Sequence, residues 1–321
     1  AQGSDYDIID PPLLFVSDSV GTGATGDVAV SGVLESIRVL DPGFDYTSKP
    51  TVTIMGGNGD GASAIPNMKL IDHSVSFFSE AASNRVALGS TQSTIGFSTY
   101  HKLRNGEQII YRTNGQQAIG GLTTDAKYHV SVQDNQTVKL HNNLSDVLAG
   151  INTVEFTSFG NGSHQLQTVN KKSVVESISV IDSGSGYENK KRSSGISGIS
   201  TSQDTINIKN HDFKSGEKVK YTAGTSAIGG LTDGTEYYVI RMDNDNFRLT
   251  EVGLTTSTKT LFYDTNQFIQ LTSTGAGTHS FNYPPISVSI SGPIGISSIG
   301  SKTFQAEIQP IFRGEITSVN L

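Results

Sequence analysis

Gly32-Val33-Leu34-Glu35-Ser36-Ile37-Arg38-Val39-Leu40-Asp41-Pro42-Gly43-Phe44-Asp45-Tyr46 returns later as Ser173-Val174-Val175-Glu176-Ser177-Ile178-Ser179-Val180-Ile181-Asp182-Ser183-Gly184-Ser185-Gly186-Tyr187, at an offset of 141 (187 − 46). The apolar positions, the Glu-Ser pair, an Asp, a Gly and the closing Tyr coincide. Val33, Ile37 and Val39 share one face at period two, with Glu35 as the odd member, which is the alternation of a strand. A third copy starts at Gly314-Glu315-Ile316-Thr317-Ser318-Val319, at an offset of 282 (314 − 32). Behind the Tyr comes a proline-led strand, Pro50-Thr51-Val52-Thr53-Ile54, and a turn containing Gly56-Gly57 and Gly61-Ala62. Pro285-Ile286-Ser287-Val288-Ser289-Ile290 with Gly292 and Gly295 repeats this half, and Pro11 to Val16 with Gly21, Gly23 and Ala24 repeats it more loosely. We call this unit A: strand, Asp/Gly turn, Tyr, proline-led strand, Gly-rich turn, strand.

A second unit, B, repeats more closely. His101, Gly106-Glu107 and Tyr111 match His211, Gly216-Glu217 and Tyr221. Ala118-Ile119-Gly120-Gly121-Leu122-Thr123 is identical to Ala227-Ile228-Gly229-Gly230-Leu231-Thr232, and Thr157-Ser158, Gly160, Gly162 and His164 match Thr272-Ser273, Gly275, Gly277 and His279. The predicted organisation is residues 1–75 as A-type modules, 90–168 as a B module, 172–193 plus 284–313 as an A module interrupted by an insert, 200–283 as the inserted B module, and 314–321 as the start of a further A unit. Insertion at a loop tip is physically cheap. Lys190-Lys191-Arg192-Ser193-Ser194-Gly195 reads as a solvated linker into that insert. The unmatched front strand at the end is expected to continue an array, to pair with the Leu13–Val16 segment of its own chain, or to be donated to a neighbour. The predicted fold class is all-β, with tandem small sandwich- or barrel-like modules of two repeated types, one inserted into the other. Two stretches, Ser79 to Leu88 and Leu144 to Ala149, carry short-helix signals, each closed by a glycine.

Composition agrees. Glycine accounts for 35 of 321 residues, charged residues for only 17%, and the net charge is −7. With no cysteine, no disulfide scaffold, thiolate metal site or Cys nucleophile is available. The acidic balance argues against a nucleic-acid partner, which needs Lys and Arg to displace phosphate counterions. No apolar run approaches the roughly 20 residues of a membrane helix, and the start lacks the pattern of a signal peptide, so neither membrane insertion nor secretion is expected.

Several motifs imitate chemistry. Gly21-Thr22-Gly23-Ala24-Thr25-Gly26 fits a dinucleotide fingerprint, but Asp27-Val28-Ala29-Val30 behind it alternates like a strand, so it reads as a hairpin turn. Gly56 to Gly61 lacks the Lys-Ser/Thr of a phosphate loop and reads as a β-turn. Asp243-Asn244-Asp245-Asn246 lacks the glycine and glutamate of a calcium loop. His101, His211, His164 and His279 recur in pairs, as packing residues do. Tyr237-Tyr238 puts two rings on opposite strand faces, so at most one is core, leaving the other for a sugar or an interface. The acids are scattered, against the paired carboxylates of a glycosidase. No catalytic, cofactor-binding or metal-binding residue is assigned, and no cofactor is expected.

Unit A, written G-x-[VL]-x-S-I-x-V-x-D-x-G-x-x-Y, then P-x-V-x-I, then a G-x-G-A turn, resembles repeats in virion structural proteins of tailed bacteriophages. The likeness is to tail, baseplate and fibre proteins of the contractile-tailed phages of cyanobacteria, and Asp41 to Tyr46 with Gly57 to Ala62 carries most of it. The H-D-F-x-x-G-E-x-V-x-Y opening of unit B is similar to modules of the same class. The resemblance implies a non-enzymatic scaffold and subunit connector located in the virion after assembly in host cytoplasm. Its partners would be other virion proteins and further copies of itself. The alternative is a receptor- or glycan-binding adhesin module facing a host-surface glycan.

Overall fold

The computed structural model describes residues 4–13, 27–80, 85–90, 92–252, 267–296 and 304–320. The protein is all-β, built from antiparallel sheets. The glycine fingerprint at 21–26 and most of the Leu13–Val16 segment lie outside the described residues.

Two seven-stranded sheets hold the B sequences, and their strand orders correspond. The first runs Ser74–Phe78, Ser163–Thr168, Gln108–Arg112, Lys127–Val132, Thr137–His141, Thr94–Gly96, Val86–Ala87. The second runs Ser193–Ser194, His279–Asn282, Lys218–Thr222, Glu236–Arg241, Asn246–Thr250, Thr205–Asn207, Ile199–Ser200. Alternate residues bury, as in Ile109 and Tyr111 or Val219 and Tyr221, so each sheet wraps its own core. In the first, Phe77 on one outer strand meets Phe97 near the other at 5.7 Å, which curls the sheet toward a barrel. Each fully buried aromatic or aliphatic side chain contributes about 1.5–3 kcal/mol. The identical hexapeptides supply a close crossing, since a Cβ on Gly121 would sit 2.0 Å from the Glu155 carbonyl oxygen and one on Gly230 would sit 2.3 Å from that of Gln270.

Between these sheets lies a central body. Its longest element is a ribbon in which Asp27–Asp41 pairs with Glu307–Asn320, flanked by the short strands Tyr6–Asp7 and Tyr187–Glu188. Two further ribbons, Ser63–Ile71 with Lys172–Asp182 and Thr51–Met55 with Ser287–Ser291, pack on it. Val30, Leu34, Ile37, Tyr187 and Phe312 fill the shared core.

The repeated Glu-Ser pair of unit A is a β-bulge. Leu34 faces Phe312 and Ser36 faces Ile311, so Glu35 is the extra residue. Glu176 is extra between Val175 and Ser177, and Thr317 stands at the same place in the third copy, opposite the step from Ala29 to Val30. A bulge shifts the pleat by one residue. This corrects the simple alternation: Leu34 and Ile37, not Val33 and Ile37, are the buried residues, and Glu35 is turned outward. A second bulge in each copy ejects Leu40 and Ile181, which are 63% and 62% exposed.

The terminal strand pairs within its own chain, on partners other than Leu13, and residues 14–16 of the expected partner segment lie outside the described residues. Val319 lies opposite Val28, Gly314 opposite Gly32 and Tyr6, and Leu13 is in no strand. The ribbon is centred on Gly32 and Gly314, the first residues of two equivalent copies, so it is nearly symmetric about its midpoint. Residues 314–320 continue the strand begun at Glu307.

Two local expectations differ in outcome. Leu144–Ala149 is a helix, ended by Gly150 in the left-handed region at φ 68°. Within Ser79 to Leu88, Val86–Ala87 is a strand, because Val86 buries against the first B core and pairs with Ile95. Residues 81–84 of that stretch are outside the described set.

Candidate functional site: the module junctions

The repeated histidines close turns. His101 Nδ1 accepts from Leu103 N–H at 2.9 Å and His211 Nδ1 from Phe213 N–H at 2.9 Å, over the left-handed residues Lys102 and Asp212. Tyr111 bonds His164 Nδ1 at 2.5 Å and accepts from Ile119 N–H at 3.0 Å; Tyr221, His279 and Ile228 repeat this at 3.0 and 2.8 Å. Burial pushes the Tyr111 hydroxyl up to about 12. Replacing Tyr111 by Phe leaves a buried N–H and a buried imidazole nitrogen unpaired. The expected loss is about 1–3 kcal/mol, read as a lower urea midpoint at unchanged slope; an unchanged midpoint refutes the role.

Desolvation lowers the pKa of His73, His101, His164 and His211 below the usual 6.5. The unfolded chain then binds protons more readily than the folded one. Their stability contribution is complete above pH 6.5 and is lost as pH falls through that value toward the folded-state pKa. Thermal midpoints are expected to decline from pH 7 to pH 5, where carboxylates remain ionised. A flat profile over that window contradicts the assignment.

The central body grips each B unit through a buried cation. At the first junction Lys172 Nζ lies 2.5 Å from Glu107 Oε1 and 3.4 Å from Asp45 Oδ1, with Lys172 and Asp45 side chains each 2% exposed. Arg104 closes on Asp45 with Nε and Nη2 at 2.5 Å each, and its guanidinium lies against Gly295. Glu107 Oε2 also accepts from Arg104 N–H at 2.9 Å. The second junction places Lys190 Nζ 3.4 Å from Glu188 Oε2, 2.9 Å from the Asp212 carbonyl and 3.2 Å from Tyr283 Oη. The Tyr283 hydroxyl donates to Glu217, the counterpart of Glu107. Thus the glutamate of the first Gly-Glu pair meets the central body directly, and that of the second meets Tyr283, which also binds Lys190.

This corrects the reading of Lys190 to Arg192 as a solvated linker. Lys190 and Arg192 are both 6% exposed, and Arg192 Nε donates to the His211 carbonyl at 3.1 Å. The segment extends the strand edge, since Tyr283 N–H donates to Lys190 and Phe281 N–H to Arg192.

Asn58, in the Gly-rich turn of the central body, adds a second hold on the inserted B unit. Its amide donates to the Lys218 carbonyl and accepts from Lys218 N–H, both at 2.8 Å, imitating a strand partner. Asn58→Ala is expected to cost about 1–3 kcal/mol, with faster hydrogen exchange at Lys218 and little change in the first B unit. Equal protection in both proteins counts against the clamp.

The remaining motifs are structural turns. The Asn246 side-chain amide donates to both Asp243 carboxylate oxygens at 3.1 and 3.0 Å, and Asp245 and Asn246 N–H donate to Oδ1 at 2.8 Å each; these bonds, the side-chain amide first, hold the carboxyl below the usual range. Asn58 and Gly57 adopt positive φ in the Gly56–Gly61 turn. Tyr237 is core, accepting from Thr232 N–H at 2.8 Å, while Tyr238 is half-buried with Lys218 Nζ 5.2 Å above its ring. Among the described residues no three His, Asp or Glu side chains converge as a metal site, and no helix is long and apolar enough to cross a membrane.

The sequence reading missed the Asp45, Arg104, Glu107 and Lys172 cluster. One signal was present: Glu107 and Glu217 recur beside glycine without an obvious turn role. Asp45 gave another, because its counterpart in the second copy is Gly186.

Together the fold and junctions define an all-β protein in which two seven-stranded units are seated on a central body of paired ribbons. Compared with protein-family models, curated proteins and solved structures, the chain matches none of them.

Proposed function

We propose that this chain is a non-enzymatic structural component of a bacteriophage virion, in the tail, baseplate or fibres, that acts as a β-rich scaffold and subunit connector. The observation that carries this reading is the pair of junctions, where buried Lys172 and Lys190 lock the B units to the central body. A buried ion pair adds little net stability over apolar packing, but it penalises any docking that leaves a charge alone. Such joints suit a part that holds partners at fixed spacing. Copies of the chain and other virion proteins are its proposed partners.

Gold-labelled antibody against the chain, applied to intact phage particles from the source lysate, tests the proposal. Label at a repeated position on the tail or baseplate is expected; antigen confined to the free soluble pool overturns it. Tyr238 beside Lys218 and Glu236 favours one second reading, a glycan-binding module. That reading requires host-polysaccharide binding that Tyr238→Ala abolishes without unfolding; Tyr237→Ala is unsuitable because it removes a core residue.

A further inference from the structure

Lys172, Asp45 and Glu107 bring an amine and two carboxyl groups together, buried at the edge of a polar pocket that Arg104, Gln108 and His129 also line. The Lys172 and Asp45 side chains are each 2% exposed and Glu107 is 8% exposed. Lys172 Nζ is 3.4 Å from Asp45 Oδ1 and 2.5 Å from Glu107 Oε1. The short contact with Glu107 Oε1 gives the ammonium a direct path for a proton. The Phe44 ring lies 6.0 Å from Nζ. Arg104 presents two N–H groups to the Asp45 carboxyl, where negative charge would grow during attack on its carbon.

We propose that Lys172 and Asp45 become joined by an amide bond between Nζ and Cγ, with Glu107 carrying the protons. Glu107 relays a proton from the Lys172 ammonium to the Asp45 carboxylate, and the freed neutral amine attacks Cγ of the resulting carboxylic acid. The tetrahedral oxyanion is held by Arg104. Glu107 then takes a second proton from the nitrogen and passes it to the Asp45 hydroxyl, which leaves as water as the C–O bond breaks. Glu107 ends as the carboxylate it began as, no electrons are exchanged, and no co-reactant is needed. The step replaces a buried cation and a buried anion by a neutral amide, removing the desolvation cost of both. Holding the buried reactants together supplies the proximity that such a condensation needs.

The bond would tie the turn before the first B unit to the strand after it, so the whole unit would sit inside a covalent loop. In a chain without cysteine it closes a loop as a disulfide would. The second junction is an internal control. Lys190 has no aspartate carboxyl at its Nζ; its nearest acid is Glu188, two residues away, and its donors reach a carbonyl and Tyr283 Oη. One cross-link is therefore expected, not two. The inference does not depend on the virion reading.

Intact-mass measurement of the purified full chain, followed by protease mapping, is the test. The expected mass is that of the sequence less one water, with the peptide carrying Asp45 joined to the peptide carrying Lys172. Lys172→Arg and Glu107→Gln should each restore the full mass. A wild-type chain at full mass overturns the proposal, as does a water loss mapping to Asp60-Gly61 or Asp233-Gly234, where cyclic imides form. A cross-link persisting in Glu107→Gln overturns the proton-carrying role.

Discussion

Relative to the ion-paired chain, replacing Lys172 by methionine is expected to lower stability by about 3–5 kcal/mol, the cost of stranding buried charges by removing their partner; relative to the cross-linked chain the loss is larger. Asp45 keeps Arg104, but Glu107 keeps only backbone N–H and distant charge, in a site where its side chain is 8% exposed. Methionine fills much of the lysine volume, so a cavity is a minor part of the effect. The loss should fall first on the first B unit and its seat, seen as faster hydrogen exchange around Phe44 and Val175. Neighbouring Lys171 is the control. It is 56% exposed and 3.8 Å from Asp72, so Lys171→Met should stay within about 0.5 kcal/mol of wild type. Denaturant titration of the two variants side by side decides the matter; equal midpoints would mean that the buried junction does not hold the unit.

Gly32→Val should be comparably damaging, by about 3 kcal/mol, the upper end of overpacking costs. A Cβ at Gly32 would lie 2.0 Å from the Arg313 carbonyl oxygen and 2.5 Å from the Gly314 Cα. Both are backbone atoms of the partner strand, so no side chain can rotate away. A Cβ at Gly314 would likewise meet the Ser31 carbonyl at 2.2 Å. The two glycines let the equivalent copies of unit A cross at the ribbon centre, where Tyr187 and Tyr6 also dock. Opening there should expose amides along both Asp27–Asp41 and Glu307–Asn320 and lower the thermal midpoint. Gly195 supplies the comparison: its φ is −76° and a Cβ meets nothing within 4 Å, so Gly195→Ala should be neutral. Native-like melting of Gly32→Val would show that the strands can separate at no cost.

The all-β class was legible in the sequence because period-two alternation and glycine punctuation are local properties, repeated often enough to outweigh exceptions. The helix at Leu144–Ala149 was legible for the same reason, having its Gly150 stop next to it. The Ser79–Leu88 signal failed because Val86 finds a partner strand and a core that no nearby residue announces. Repetition marked Glu35 and Glu176 as special without saying why. A bulge is a property of two strands, and Phe312 and Met68, the partners that define it, are far away in the chain.

The junctions were the least legible part. Lys172 sits 127 residues (172 − 45) from Asp45, and in sequence it looks like the second of two surface lysines. Whether a lysine is solvated or buried depends on which sheet closes over it. Local sequence thus determined that this chain forms strands and turns of two recurring kinds. Tertiary structure alone decided which copies pair, where the pleat shifts and which charges are sealed from water, because each of those energies depends on distant residues meeting in space.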